Sequence, residues 1–174
     1  MLSAQERVAR YRQRQKAAGW RTIQFWVPDT RSPELVAACR QQMRNVQDSP
    51  IQDAGSGDSK TLRDWARGSV VRIASAKDAE KPDPAQWAIV VQSQLFTGHA
   101  TVTVCPITAN LQDAPLFCLP IAPSAGNGLS KSSQIRVDQI TTVAAERIAA
   151  VMGQCEMTYL RALDRALALW LGWT

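Results

Sequence analysis

Arg136 and Asp138 stand two residues apart in the stretch SSQIRVDQITTV, residues 132–143, with Gln134 two residues before them. Successive side chains of a β-strand point to opposite faces. Gln134, Arg136 and Asp138 are therefore expected on one face, with Ile135 and Val137 on the other. A carboxylate beside a guanidinium can take up a proton and hold an anion; the same two groups can also simply pair on a solvated strand. His99 is the only histidine and follows Gly98 in what reads as a hairpin turn. Cys39, Cys105, Cys118 and Cys155 are far apart with no C-x-x-C pair, so no metal or other cofactor is expected. Three of the four cysteines lie in apolar surroundings, where the residue packs as a small hydrophobe.

The elements that must position these groups follow from length and composition. With 174 residues, 45% of them hydrophobic and six of them Trp, the chain suits one ordinary domain or a small module joined to a larger one. No apolar run approaches the roughly 20 residues of a membrane helix, and the first ten residues lack the apolar core of a signal peptide. A cytoplasmic protein without membrane attachment is the expectation. The charge is unevenly spread. Residues 1–50 hold nine Lys and Arg against four Asp and Glu, whereas residues 51–174 hold eleven of each. All of the net +5 therefore belongs to the first fifty residues, which points to an amino-terminal segment that meets a polyanion, or to a basic helix that is merely solvated.

Within that segment SAQERVARYRQRQKAAGW predicts a helix, with Ser3 and Glu6 at capping-box spacing and Gly19 as its end. RTIQFWVPD alternates as a strand, with Thr22, Gln24 and Trp26 on one face. SPELVAACRQQMRNVQD predicts a second helix, capped by Ser32, with Leu35, Cys39, Met43 and Val46 at helical spacing. After Asp48 the stretch SPIQDAGSGDSK has the composition of a flexible connector. The expected division is a module over 1–48, a linker over 49–66 and a domain over 67–174. In that domain GSVVRIA, WAIVVQSQLF, ATVTVCPIT, LFCLPIA and SQIRVDQI read as five short strands between turns, which favours a small antiparallel barrel. EMTYLRALDRALALWLGW closes it as a helix with Leu160, Leu163, Leu167 and Trp170 on one side. Trp65, Trp87, Trp170 and Trp173 are expected in the core or at a dimer surface.

These residues carry a resemblance. RGSVVRI, IVVQSQLF, HATVTVCPITANLQDAPLFCLPIAPSAGNGLSKSSQIRVDQITTV and LRALDRALALWLG, in that order, resemble the MazF/PemK family of toxin endoribonucleases. RVARYRQRQKAAGWRTIQFWVPDTRSPELVAACRQQ resembles the MazE-type antitoxin encoded beside such toxins, and LRDW is similar to the end of an antitoxin tail. The resemblance implies an α+β chain: a small SH3-like antiparallel β-barrel with a carboxyl-terminal helix, preceded by a helix-strand-helix module of ribbon-helix-helix type. It implies a homodimer that cleaves single-stranded RNA without metal and leaves 2′,3′-cyclic phosphate ends. A MazE- or MazF-type partner and operator DNA are implied as further partners.

By the same carry-over Asp138 is the general base, Arg136 the acid or charge stabiliser, and Thr108 lies against the scissile phosphate. Arginine's high pKa makes charge stabilisation the easier role. Gln134 and Ser133 match groove positions that bind RNA. The family usually carries Arg-Pro before its second strand, where this chain has Gln86-Trp87; Lys81, in KPDP, is the candidate substitute cation. Losing one cation at a developing phosphorane would cost on the order of 100- to 1000-fold in rate. Thr22 and Gln24 would face DNA bases, while Arg10, Arg12, Arg14 and Arg21 would neutralise phosphates. The alternative is a catalytically degenerate antitoxin or repressor that binds a MazF-type toxin and operator DNA.

Overall fold

A computed structural model describes residues 3–23, 28–29, 31–47, 65–74 and 86–173. The chain divides into two compact units, Met1–Asp29 and Thr30–Trp173. The first contains helix α1, Ala4–Ala17. Its capping box is formed: the Ser3 hydroxyl accepts from the Glu6 N–H at 3.2 Å, and the Ser3 N–H donates to the Glu6 carboxylate at 2.6 Å. No residue of α1 is buried, and Val8 and Tyr11 are 50% and 64% exposed, so its apolar stripe covers nothing within this unit. Most of the strand expected after it, from Gln24 to Val27, lies outside the described residues.

The second unit begins with α2, Pro33–Gln47, whose start is capped by the Ser32 hydroxyl accepting from the Leu35 N–H. Among the described residues seven strands follow: β1 Ser69–Ile73, β2 Gln86–Val90, β3 Thr101–Thr108, β4 Cys118–Ile121, β5 Ser133–Arg136, β6 Thr141–Ala144 and β7 Ile148–Gln154. They form one antiparallel sheet in the order β4-β5-β3-β2-β1-β7. The long β3 serves two neighbours: Thr101–Val104 pair with β6, while Ile107 and Thr108 pair with β5. That splitting curls the sheet. One face of β1–β3 carries Val70, Ile89, Cys105 and Ile107 against Leu163, Ala166 and Leu167 of helix α3, Met157–Trp170. The other carries Val71, Ala88, Val90, Val102 and Val104 around Trp65. Each strand thus buries its alternate residues on opposite sides, which explains its near-continuous apolar run.

The five expected strands are present, but several are shorter than their apolar runs. The second stops at Val90, and Gln94–Phe96 form a 3-10 turn capped by Ser93. The fifth ends at Arg136, not Ile140, because Val137–Gln139 close into another 3-10 turn. Strands β6 and β7 were not anticipated; in IAAVMGQ the two β-branched residues, Ile148 and Val151, are three apart and make no period-2 alternation. In α3 the buried stripe is Leu163, Ala166 and Leu167. Trp170, expected on it, is 47% exposed and rests one edge on Phe117, with ring centroids 5.6 Å apart. Trp65 is buried and Trp173 exposed. His99 does lie at the turn before β3, where its Nδ1 accepts from the Thr101 N–H at 3.3 Å. No helix among the described residues is long and apolar enough to cross a membrane.

Candidate active site

Register builds one polar floor from three strands. Thr108 of β3 lies opposite Gln134 of β5, and Ala88 of β2 lies opposite Pro106 of β3. Two residues along from Ala88 and Pro106, Gln86 and Thr108 share the same face by alternation. Arg136, two on from Gln134, shares it too. Gln86, Thr108, Gln134 and Arg136 therefore occupy neighbouring strands about 4.8 Å apart.

Asp138 reaches this floor by a different route from the one alternation suggests. It sits in the 3-10 turn after β5, anchored by fully buried Val137, whose N–H donates to the Phe117 carbonyl at 2.8 Å. The turn folds the carboxylate back onto Arg136, whose Nε donates to Oδ1 at 2.8 Å and Nη2 to Oδ2 at 2.6 Å. Both side chains are largely covered, with 13% and 16% exposed. The two-donor fork is the stronger form of such a pair. The hydrogen bond from Arg136 holds the Asp138 carboxyl below the usual carboxylate range, and Asp138 in turn raises Arg136. Asp138 is thus ionised and able to accept a proton, and Arg136 keeps further N–H groups for an anion.

The other expected residues divide. The Thr108 hydroxyl oxygen accepts from the Asn110 N–H at 3.1 Å, and the hydroxyl still has its own hydrogen to donate. Gln86 is exposed at the rim. Gln134 is on the floor, but its amide is committed: Nε2 donates to the Gln112 carbonyl at 2.8 Å and Oε1 accepts from the Gln112 N–H at 2.7 Å. It pins the β3–β4 loop beside the floor. Ser133 is not brought there; it shares a face with Ile121, is 6% exposed and donates to the Lys131 carbonyl. Lys81 and Gln24 lie outside the described residues. Arg10, Arg12, Arg14, Arg21 and Thr22 belong to the first unit; all are exposed. Gln112 was missed, since it contributes only backbone atoms that any residue would supply.

All four cysteines are buried, and burial pushes the thiols of Cys105 and Cys155 up to about 12 and about 11, so neither is a nucleophile. Among the described residues no three His, Cys, Asp or Glu side chains converge as a metal site.

An antiparallel barrel with an Arg–Asp fork and a threonine hydroxyl on one polar face defines a candidate anion-handling domain, and comparison with known proteins gives its class. Residues 66–171 match the PemK-like, MazF-like toxin of type II toxin–antitoxin systems, and residues 5–58 match the MazE-like antitoxin. A protein of Mycolicibacterium smegmatis described as a probable endoribonuclease MazF is 36% identical over 92 residues, covering 53% of this chain and 82% of that one. Among solved structures, a MazE-MazF crystal form from Deinococcus radiodurans aligns with TM-score 0.53 at 18% identity, covering 63% of this chain and 97% of that chain. An endoribonuclease in complex with its cognate antitoxin from a mycobacterial species aligns with TM-score 0.50 at 20% identity, with the same coverages. The chain belongs to the PemK-like, MazF-like toxin family, and it carries a MazE-like antitoxin segment ahead of the toxin domain.

Proposed function

We propose that the chain is a metal-independent endoribonuclease, an mRNA interferase acting on single-stranded RNA in the cytoplasm, with its own antitoxin-like segment attached. The observation that carries this is the Arg136–Asp138 fork on the same polar face as Thr108. Asp138 takes the proton of a ribose 2′-hydroxyl, and the 2′-oxygen attacks the adjacent phosphorus. The bond to the 5′-oxygen breaks, that oxygen takes a proton from water, the hydroxide so formed recovers the proton held by Asp138, and a 2′,3′-cyclic phosphate remains. Arg136 and the Thr108 hydroxyl stabilise the charge that develops on the non-bridging oxygens. A phosphate that draws Arg136 toward itself also loosens its hold on Asp138, raising that carboxyl toward the range where it is a more effective base.

Residues 1–48 act as the antitoxin-like and DNA-binding module and 49–66 join it to the nuclease domain, 67–174. Thr22 and Gln24 meet bases of operator DNA, and Arg10, Arg12, Arg14 and Arg21 meet phosphates. The working form is a homodimer able to engage a MazE- or MazF-type partner. The reading as an idle repressor rests on Gln86 alone, and the assembled ion pair outweighs it.

The test is cleavage of a long single-stranded RNA by the whole chain with EDTA present. Cyclic phosphate ends are expected, and Asp138→Asn should lower the rate by about 100- to 10,000-fold. Cleavage that survives Asp138→Asn, or that EDTA abolishes, would sink the proposal.

A further inference from the structure

Helix α2 lies within the antitoxin-like match, yet its apolar stripe is covered by the toxin domain of the same chain. It packs on the 3-10 turn Gln94–Phe96 that follows β2. Cys39, at the centre of the stripe, is 8% exposed, and Leu35, Val36 and Met43 are half-buried. Val36 and Met43 form one wall of a cavity of about 750 Å³; Leu95, Met157, Leu160 and Asp164 of the toxin domain are among the residues of the other.

The end of the sheet on which α2 sits is decisive. The turn at Gln94–Phe96 lies beyond Val91, whose N–H bonds the Thr103 carbonyl at 3.0 Å. Thr108 and Gln86 lie at the opposite ends of β3 and β2, five residues away along each strand, or roughly 17 Å. None of the residues lining the cavity belongs to the floor.

We infer that the groove between the Gln94–Phe96 turn and the start of α3 is a docking surface for the chain's own α2, and that α2 seated there leaves the reactive floor open. The second half of this inference rests on the nuclease reading; the first does not. Seating then anchors the antitoxin-like segment without gating cleavage. Whatever restraint that segment exerts on the floor must come from residues other than α2.

The test uses the whole chain and two readouts. Modification of Cys39 by N-ethylmaleimide, followed by peptide mass mapping, reports seating; the other three cysteines are buried in the barrel, and Cys39→Ser identifies the signal. Cleavage of single-stranded RNA reports the floor. Met43→Asp disturbs the seat from the helix side, and Leu95→Asp disturbs it from the toxin side without touching the helix. Slow modification is expected in the unaltered chain and a rise of at least about tenfold in both variants, because opening no longer precedes reaction. Cleavage should stay within about twofold, as for changes remote from a reacting centre. Rapid modification of Cys39 in the folded unaltered chain, or no rise in Leu95→Asp, would remove the docking surface. Faster cleavage in both variants would overturn the open floor and make α2 itself the restraint. If nothing cleaves RNA, the nuclease reading falls and with it the claim about gating, while the labelling still decides the seat.

Discussion

Gln86 stands on the floor where the MazF/PemK resemblance implies an arginine, and its amide brings hydrogen-bond donors without charge. Arg136 is the one cation the floor's described residues supply, and part of its donor fork already holds Asp138. On the proposed nuclease reading, a phosphorane forming above Thr108 would be under-stabilised on the β2 side. Gln86→Arg should restore a cation one strand from Thr108 and raise the single-turnover cleavage rate by about 100- to 1000-fold. Adding Asp138→Asn to it should abolish the gain. An unchanged rate would mean that the position no longer faces the reacting phosphate. The Arg136–Asp138 pair was legible in the sequence because its partners are two residues apart and need only a local turn to meet. The commitment of Gln134 to Gln112 was not: it spans 22 residues and depends on how the β3–β4 loop closes.

At the scale of elements, the loop between β4 and β5 shows how the barrel is closed against its last strand and helix. Buried Asn127 accepts from the N–H groups of Ser124 and Leu129 at 3.0 and 3.1 Å and donates to the Ala122 carbonyl at 2.9 Å. The Ser124 hydroxyl donates to Glu156, the residue before α3, and this hydrogen bond is the main cause of that carboxyl's lowered pKa. The loop can lie flat on β7 only because Gly128 and Gly153 lack side chains. Gly128 has φ +70°, and a Cβ there would fall 2.4 Å from the Met152 carbonyl oxygen; one on Gly153 would fall 2.2 Å from that of Gly126. Gly128→Ala should cost about 1–3 kcal/mol from backbone conformation alone, with displacement of Met152 added. Gly126→Ala, whose nearest neighbours would be 3.7 Å away, should stay within about 0.5 kcal/mol. Urea midpoints at unchanged slope would measure both, and equal midpoints would refute this account of the loop. This closure also explains why β7 was illegible: its pairing with β1 is interrupted twice by register shifts, and its side chains follow no simple alternation. Strands β1, β2 and β3 were legible because burial on both faces makes them nearly continuous apolar runs.

For the whole molecule, the segregation of charge is the feature with the widest consequence. Helix α1 carries Arg7, Arg10, Arg12, Arg14 and Lys16 against a single Glu6, and it buries nothing. Capping can start such a helix, but without an apolar face a 14-residue helix is marginal in water. A polyanion would supply what the fold does not, because it would bind the cations and favour the helix together. Arg10 and Arg14, four apart, share one side and can meet neighbouring phosphates. Replacing both by Gln in the whole chain should weaken binding to duplex DNA and reduce the slope of log K against log salt by about 2, since each phosphate contact contributes about 0.9. Anisotropy titrations at several salt concentrations would measure the slope, with cleavage of single-stranded RNA as the control that stays unchanged. A slope that does not move would identify α1 as a solvated basic face. A fall of the expected size would make the amino-terminal unit the seat of nucleic-acid binding distinct from the floor on the barrel. Two nucleic-acid surfaces in one chain would then be distinguishable by salt: the helix works through released counterions, the floor through a fixed ion pair that is largely covered from solvent.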